Sequence, residues 1–210
     1  MPRALLVPMV LASALAVPAA ARQASPAELF DRGESWESFM ADVEARRELW
    51  RTNAERAAPA PGMVERLRAA GDGLRILAIA IDACSDSVST LPYIAKAAEQ
   101  AGVPLRIVDP TTGRHLLEAH PTPDGRAATP TILLLRGPDT AGVFVERPKT
   151  LQDWMLSDTA TALSQADRVS RKMSWYDWDR GDATVAQIVA LAEGDGSVFH
   201  RFGPAGARPR

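Results

Sequence analysis

The apolar positions change period several times along the chain, and each change marks an element. The stretch "SPAELFDRGESWESFMADVEARRELWRTNAERA" sets Trp36, Phe39, Met40, Val43 and Trp50 at spacings of one helical face. Ser35 is placed to cap that helix, whose aromatic stripe is expected to lie on the core. "APAPG" at 58–62 interrupts it, and a short helix from about Met63 to Ala70 leads into a Gly-Asp-Gly turn at 71–73. "LRILAIAI", 74–81, is nearly continuous in apolar residues, as expected of a strand buried on both faces. A helical run from about Ser87 to Gln100 follows, with Pro92 inside it, where a kink is expected.

"VPLRIVD", 103–109, reads as a second strand and "GRHLLEAH" as a short helix. "TILLL", 131–135, and "AGVFVE", 141–146, read as two strands joined closely enough to form an antiparallel hairpin. From Lys149 onward Leu151, Trp154, Met155, Ala162, Ala166, Val169 and Met173 share roughly one helical side, expected to face the core. "SWYDWDRGD", 174–182, reads as a loop packed by Trp175 and Trp178, and a last helix spans Asp182 to Glu193. This order predicts an α/β three-layer domain, one mixed sheet flanked by helices, with helical extensions at both ends. The expected division is 1–21 signal, 22–73 N-terminal helical extension, 74–156 core, and 157–210 C-terminal helices and tail.

Charge narrows the partners. With 24 basic and 26 acidic residues in 210, the formal charge is −2. That gives no electrostatic basis for binding nucleic acid or an anionic membrane surface, leaving a small molecule, a peptide or a protein. At the N-terminus, Arg3 precedes an apolar run from Ala4 to Val17 and small residues at 19–21, the order of a cleaved secretory signal. The run is short and interrupted by Pro8, so no stable membrane insertion is expected after cleavage. A periplasmic or secreted location follows. There the single cysteine of the chain, Cys84, has no internal partner for a disulfide.

Cys84 stands in "DACSDSVSTLP", 82–92, between the predicted buried strand and a helix that starts within two or three residues. A thiol at a helix N-terminus meets unpaired N–H groups and the positive end of the macrodipole, which favour thiolate, the nucleophile of disulfide exchange. A free cysteine is also often no more than a small buried hydrophobe. "RAATPTILLL", 126–135, puts Thr129-Pro130 at a strand entry, where proline is tolerated and a cis bond can occur. His115, His120 and His200 share no metal-type spacing with Cys84, so no metal site is expected.

Taken in order, "CSDS", "STLP" with its helix proline, "RAATPTILLL" and "ERP" at 146–148 resemble the thioredoxin-like family. The likeness runs from about Leu74 to Leu156 and is nearest to bacterial members with a Trp-Cys-Gly-Asp motif. The resemblance implies a central mixed sheet flanked by helices, Cys84 as attacking thiol, and Thr129 and Pro130 as the loop that faces it and pairs with an extended substrate segment. Cys-Ser-Asp-Ser is a degenerate, monothiol form: Ser87 holds the resolving position, Ala83 replaces the preceding tryptophan, and the family's buried acid falls at Ala78. Asp86 and Asp82 are expected to oppose thiolate formation, whereas Ser85 and Ser87 can donate hydrogen bonds to the sulfur. A lone thiol can attack a disulfide, but its release needs a second thiol. The implied activity is monothiol exchange on protein thiols or disulfides, with no cofactor beyond glutathione as co-substrate. The alternative is a redox-inactive binding or scaffolding module acting on an unidentified protein partner.

Overall fold

The apolar runs become four strands: β1 (Leu74–Ile79), β2 (Leu105–Val108), β3 (Thr131–Arg136) and β4 (Asp139–Val145). The structure is a computed structural model that describes residues 22–71 and 73–195. The expected signal over 1–21, Asp72, His200 and the tail after 195 lie outside the described residues. The sheet order is β2-β1-β3-β4, with β1 parallel to β2 and the other pairs antiparallel. The parallel pair needs a crossover, which the helix over Ser85–Ala101 supplies. Gly137, with φ +58, and Pro138 close the β3–β4 hairpin, so both strands run closer to the turn than expected.

Ten helices surround the sheet among the described residues. Those N-terminal to β1 are α1 (Pro26–Arg32), α2 (Trp36–Asp42), α3 (Arg47–Arg56) and α4 (Pro61–Ala69). The crossover is α5 (Ser85–Ala101), and α6 (Arg114–Ala119) follows β2. After β4 come α7 (Lys149–Met155), α8 (Asp158–Thr161), α9 (Gln165–Asp179) and α10 (Asp182–Ala192). Strand residues point alternately into two cores. Ile76, Ala78, Ile132 and Leu134 meet Trp50, Leu67, Leu91, Ile94 and Ile188 on one face. Leu77, Ile79, Leu133 and Leu135 meet Leu29, Phe30, Leu116 and Leu117 on the other. The expected α/β three-layer architecture is therefore present.

Three local expectations are corrected. The N-terminal segment forms three helices rather than one, and its aromatic stripe is divided between α2 and α3. Gly33 passes so close to β2 that a Cβ would sit 2.9 Å from Arg106 Cβ, and Glu34 forms an isolated bridge to Ile107. Farther on, the Asp82 carboxylate takes the N–H groups of Glu44 and Ala45 at 3.0 and 2.7 Å, and Arg46 adopts φ +54. Those N–H groups are thereby withdrawn from helical pairing, which separates α2 from α3. Secondly, the segment after Lys149 breaks at Ser157 and Ser164, each of which caps the next helix, and Val169 is 45% exposed. Thirdly, "SWYDWD" is the end of α9, not a loop; its helical turn buries Tyr176 and leaves Trp178 77% exposed.

Pro92 sits within an uninterrupted α5. Its missing N–H leaves the Val88 carbonyl, one turn earlier, without its helical donor. The buried Asn53 Nδ2 donates to that carbonyl at 2.7 Å, so a side chain of α3 replaces the lost bond.

Candidate functional site

The strand registers decide what meets at one end of the sheet. Ile79, the last residue of β1, pairs with Thr131 at the start of β3, and Thr131 pairs with Val145 at the end of β4. The segments just beyond these residues therefore converge: Cys84 after β1, Thr129-Pro130 before β3, and Glu146-Arg147 after β4. Cys84 is the N-cap residue of α5 and is partly exposed. Its Sγ lies 3.2 Å from the Thr129 carbonyl oxygen, within reach for a thiol to donate. The Thr129–Pro130 peptide bond is cis. Helix α5 begins at the next residue, and the Cys84 side chain makes no capping hydrogen bond to its first turn among the described residues.

The N-terminal helices hold the loop that carries the thiol. Trp50 Nε1 donates to the Asp82 carbonyl at 2.9 Å, and Arg46 Nε donates to the Ala83 carbonyl at 2.7 Å. Trp50 thus joins the aromatic cluster with Trp36 and Phe39 and also fixes the approach to Cys84. Burial would raise the Asp82 pKa, but the N–H groups of Ala45 and Glu44 outweigh it and hold the carboxyl below its usual range. Asp82 is committed to the α2–α3 turn.

Asp86 is also committed, on the buried side. Its carboxylate accepts from Lys172 Nζ at 2.7 Å and from the Tyr176 hydroxyl at 2.8 Å, and lies 3.3 Å from Arg147 Nε. Lys172 Nζ also donates to Ser85 Oγ at 2.8 Å. Arg147 pairs in turn with Glu146, and Glu146 with Arg126 at 3.2 Å. Burial, reinforced by the neighbouring Asp86 charge, pushes the Tyr176 phenol well above its ordinary range, so it stays a hydrogen-bond donor. Glu146 has φ +65, a left-handed conformation that costs a non-glycine residue about 1 kcal/mol. Its N–H donates to the Pro130 carbonyl at 2.7 Å, which ties β4 to the loop opposite Cys84.

The sequence placed the residues well but not all of their contacts. Cys84, Thr129 and Pro130 are together. The expected hydrogen bonds from Ser85 and Ser87 to the sulfur are absent among the described residues. Ser85 Oγ accepts from Lys172, and the fully buried Ser87 Oγ has no hydrogen-bond partner among the described residues. Asp86 does not stand as an unopposed charge, because Lys172 and Arg147 neutralise it. Lys172, Tyr176 and Arg46 carried no legible signal: each meets the cysteine loop from a distant part of the chain. Among the described residues no group of three or more His, Cys, Asp or Glu side chains is arranged to hold a metal, and no helix is long and apolar enough to cross a membrane.

This arrangement, a partly exposed thiol on a helix N-cap facing a cis-proline loop in a four-stranded mixed sheet, agrees with the sequence comparison. A thioredoxin family model matches residues 33–166, more than half of the chain. The chain belongs to the thioredoxin family. Two solved structures are similar in fold. One is a protein of unknown function, PA1234 from Pseudomonas aeruginosa, 23% identical, with a TM-score of 0.63 over 82% of this chain and 99% of that one. The other is an HIV epitope-scaffold, also 23% identical with a TM-score of 0.63, covering 81% of this chain and 99% of its own. No curated protein matches the chain.

Proposed function

We propose that the protein is a monothiol exchanger, nearest to the Trp-Cys-Gly-Asp branch of its family but with a degenerate Cys-Ser-Asp-Ser motif, acting in the periplasm or outside the cell. The observation that carries this reading is the position of Cys84: partly exposed, at the N-cap of a 17-residue helix, and 3.2 Å from the Thr129 carbonyl. Helix N-termini favour the charged, nucleophilic form of a thiol. In the proposed step the Cys84 thiolate attacks one sulfur of a substrate disulfide, forming a mixed disulfide and releasing the other sulfur as a thiolate. Thr129 and Pro130 supply the backbone edge against which an extended protein substrate docks. Ser87 has no sulfur with which to close the cycle, so an external thiol, such as reduced glutathione, releases the substrate.

The expected result with oxidised glutathione is one glutathionyl group per chain by intact mass. Cys84→Ser should acquire none, and reduced glutathione should remove the adduct. Failure to form it in the folded chain would favour a redox-inactive binding or scaffolding module instead. One observation favours that second reading: Ser87, Ala83 and Ala78 stand where the family has its resolving cysteine, tryptophan and buried acid.

A further inference from the structure

The charge beneath Cys84 is balanced by a residue outside the family match. Four charged side chains are buried there, the carboxylates Asp86 and Glu146 and the cations Arg147 and Lys172. Lys172 and Tyr176 stand on α9, beyond residue 166, where the match ends. Lys172 touches both Asp86 Oδ2, at 2.7 Å, and the hydroxyl of Ser85, the residue next to Cys84, at 2.8 Å. An exposed surface ion pair would contribute little, but this ammonium is nearly sealed from water, where charges are weakly screened.

We propose that Lys172 is a positioning residue for Cys84: by neutralising Asp86 and holding Ser85, it keeps the first turn of α5 favourable to a thiolate. The C-terminal extension is then a working part of the site and not only a cover for the sheet. The purpose of this arrangement rests on the exchange reading of Cys84, but alkylation of the thiol measures it without any disulfide chemistry. The other charged groups around the turn are Asp82, held by Ala45 and Glu44; Arg46, on the Ala83 carbonyl; and Arg147, Glu146 and Tyr176 on the buried side. Each of these remains in the variants that test the idea.

The test is the rate of iodoacetamide alkylation of Cys84 across pH in the full chain, with folding followed by circular dichroism. In Lys172→Met, Asp86 loses its nearest cation. The half-maximal pH should rise by about one unit and the neutral-pH rate fall up to about tenfold. In Asp86→Asn, whose amide keeps the shape and an acceptor for Tyr176, the surplus cation should move the profile downward by a similar amount. Lys172→Arg should behave as the parent, and the double variant Lys172→Met/Asp86→Asn should return close to it. Loosened packing alone would move both single variants the same way. Shifts of the same sign, or no shift in either, overturn the proposal. Should Lys172→Met fail to fold, Asp86→Asn decides: a downward shift supports the proposal, and an unchanged or upward profile overturns it.

Discussion

Gly181→Ala is expected to destabilise the protein by more than about 4 kcal/mol, in the range reserved for severe local conflicts. Gly181 has φ +84, and a Cβ there would lie 2.2 Å from Tyr93 Cγ and 2.5 Å from Tyr93 Cβ. Tyr93 is a poor candidate for yielding, being buried in α5 with its hydroxyl accepting from Arg56 Nε at 2.7 Å. Arg56 also pairs with Asp177 at 3.0 Å, so α3, α5 and α9 are joined at the same corner. The substitution must push the α9–α10 corner away from α5, withdrawing Lys172 and Tyr176 from Asp86. Thermal unfolding should show a midpoint lower by roughly 10 °C or more, since about 1 kcal/mol corresponds to 2–4 °C in a chain of this size. An unchanged midpoint would mean that this corner does not pack as described.

Asp86→Ala has the second-largest expected effect, a loss of about 3–5 kcal/mol, as found when one partner of a buried ion pair is removed. The carboxylate answers Lys172, Tyr176 and Arg147 together. Alanine would leave two buried cations with only Glu146 between them and a phenol without its acceptor. Removing Lys172 in the same chain restores charge balance, so the double variant Asp86→Ala/Lys172→Met should cost less than the sum of the two single changes. Urea midpoints for the four proteins complete that cycle, and strict additivity would show that the two groups are not coupled.

Where the sequence could be read, it was because local pattern and packing agreed. The nearly continuous apolar run at 74–79, broken only by Arg75, has to be buried on both faces, and the chain around Gly137-Pro138 has to turn, so the strands and hairpin were visible without coordinates. Cys84 and Thr129-Pro130 each lie at a predicted strand end, but that they face one another was legible only through the family resemblance; in the fold the pairing of β1 with β3 brings them together. The rest depended on contacts between remote residues. Nothing near Glu44 shows that Asp82 will take its N–H, so the break between α2 and α3 is invisible in the helical spacing. "SWYDWDRGD" resembles a loop by composition, yet its first six residues finish α9 and bring Tyr176 onto the buried Asp86, and only Arg180-Gly181 forms the turn to α10. Lys172 looks like any solvated lysine until α9 is laid across the start of α5. Ser85 and Ser87 were read as donors to the sulfur because they are its neighbours in sequence; the helix instead turns Ser87 into the interior and hands Ser85 to Lys172.

The most direct measurement compares the rate at which Cys84 attacks an aromatic disulfide in the native chain and in the same chain unfolded in urea at neutral pH. The unfolded chain presents the thiol fully accessible but without its helix. A native rate above the unfolded rate is expected if the fold activates Cys84 for exchange. A native rate well below it would contradict the account, leaving Cys84 as a packed side chain in a domain that serves only to bind.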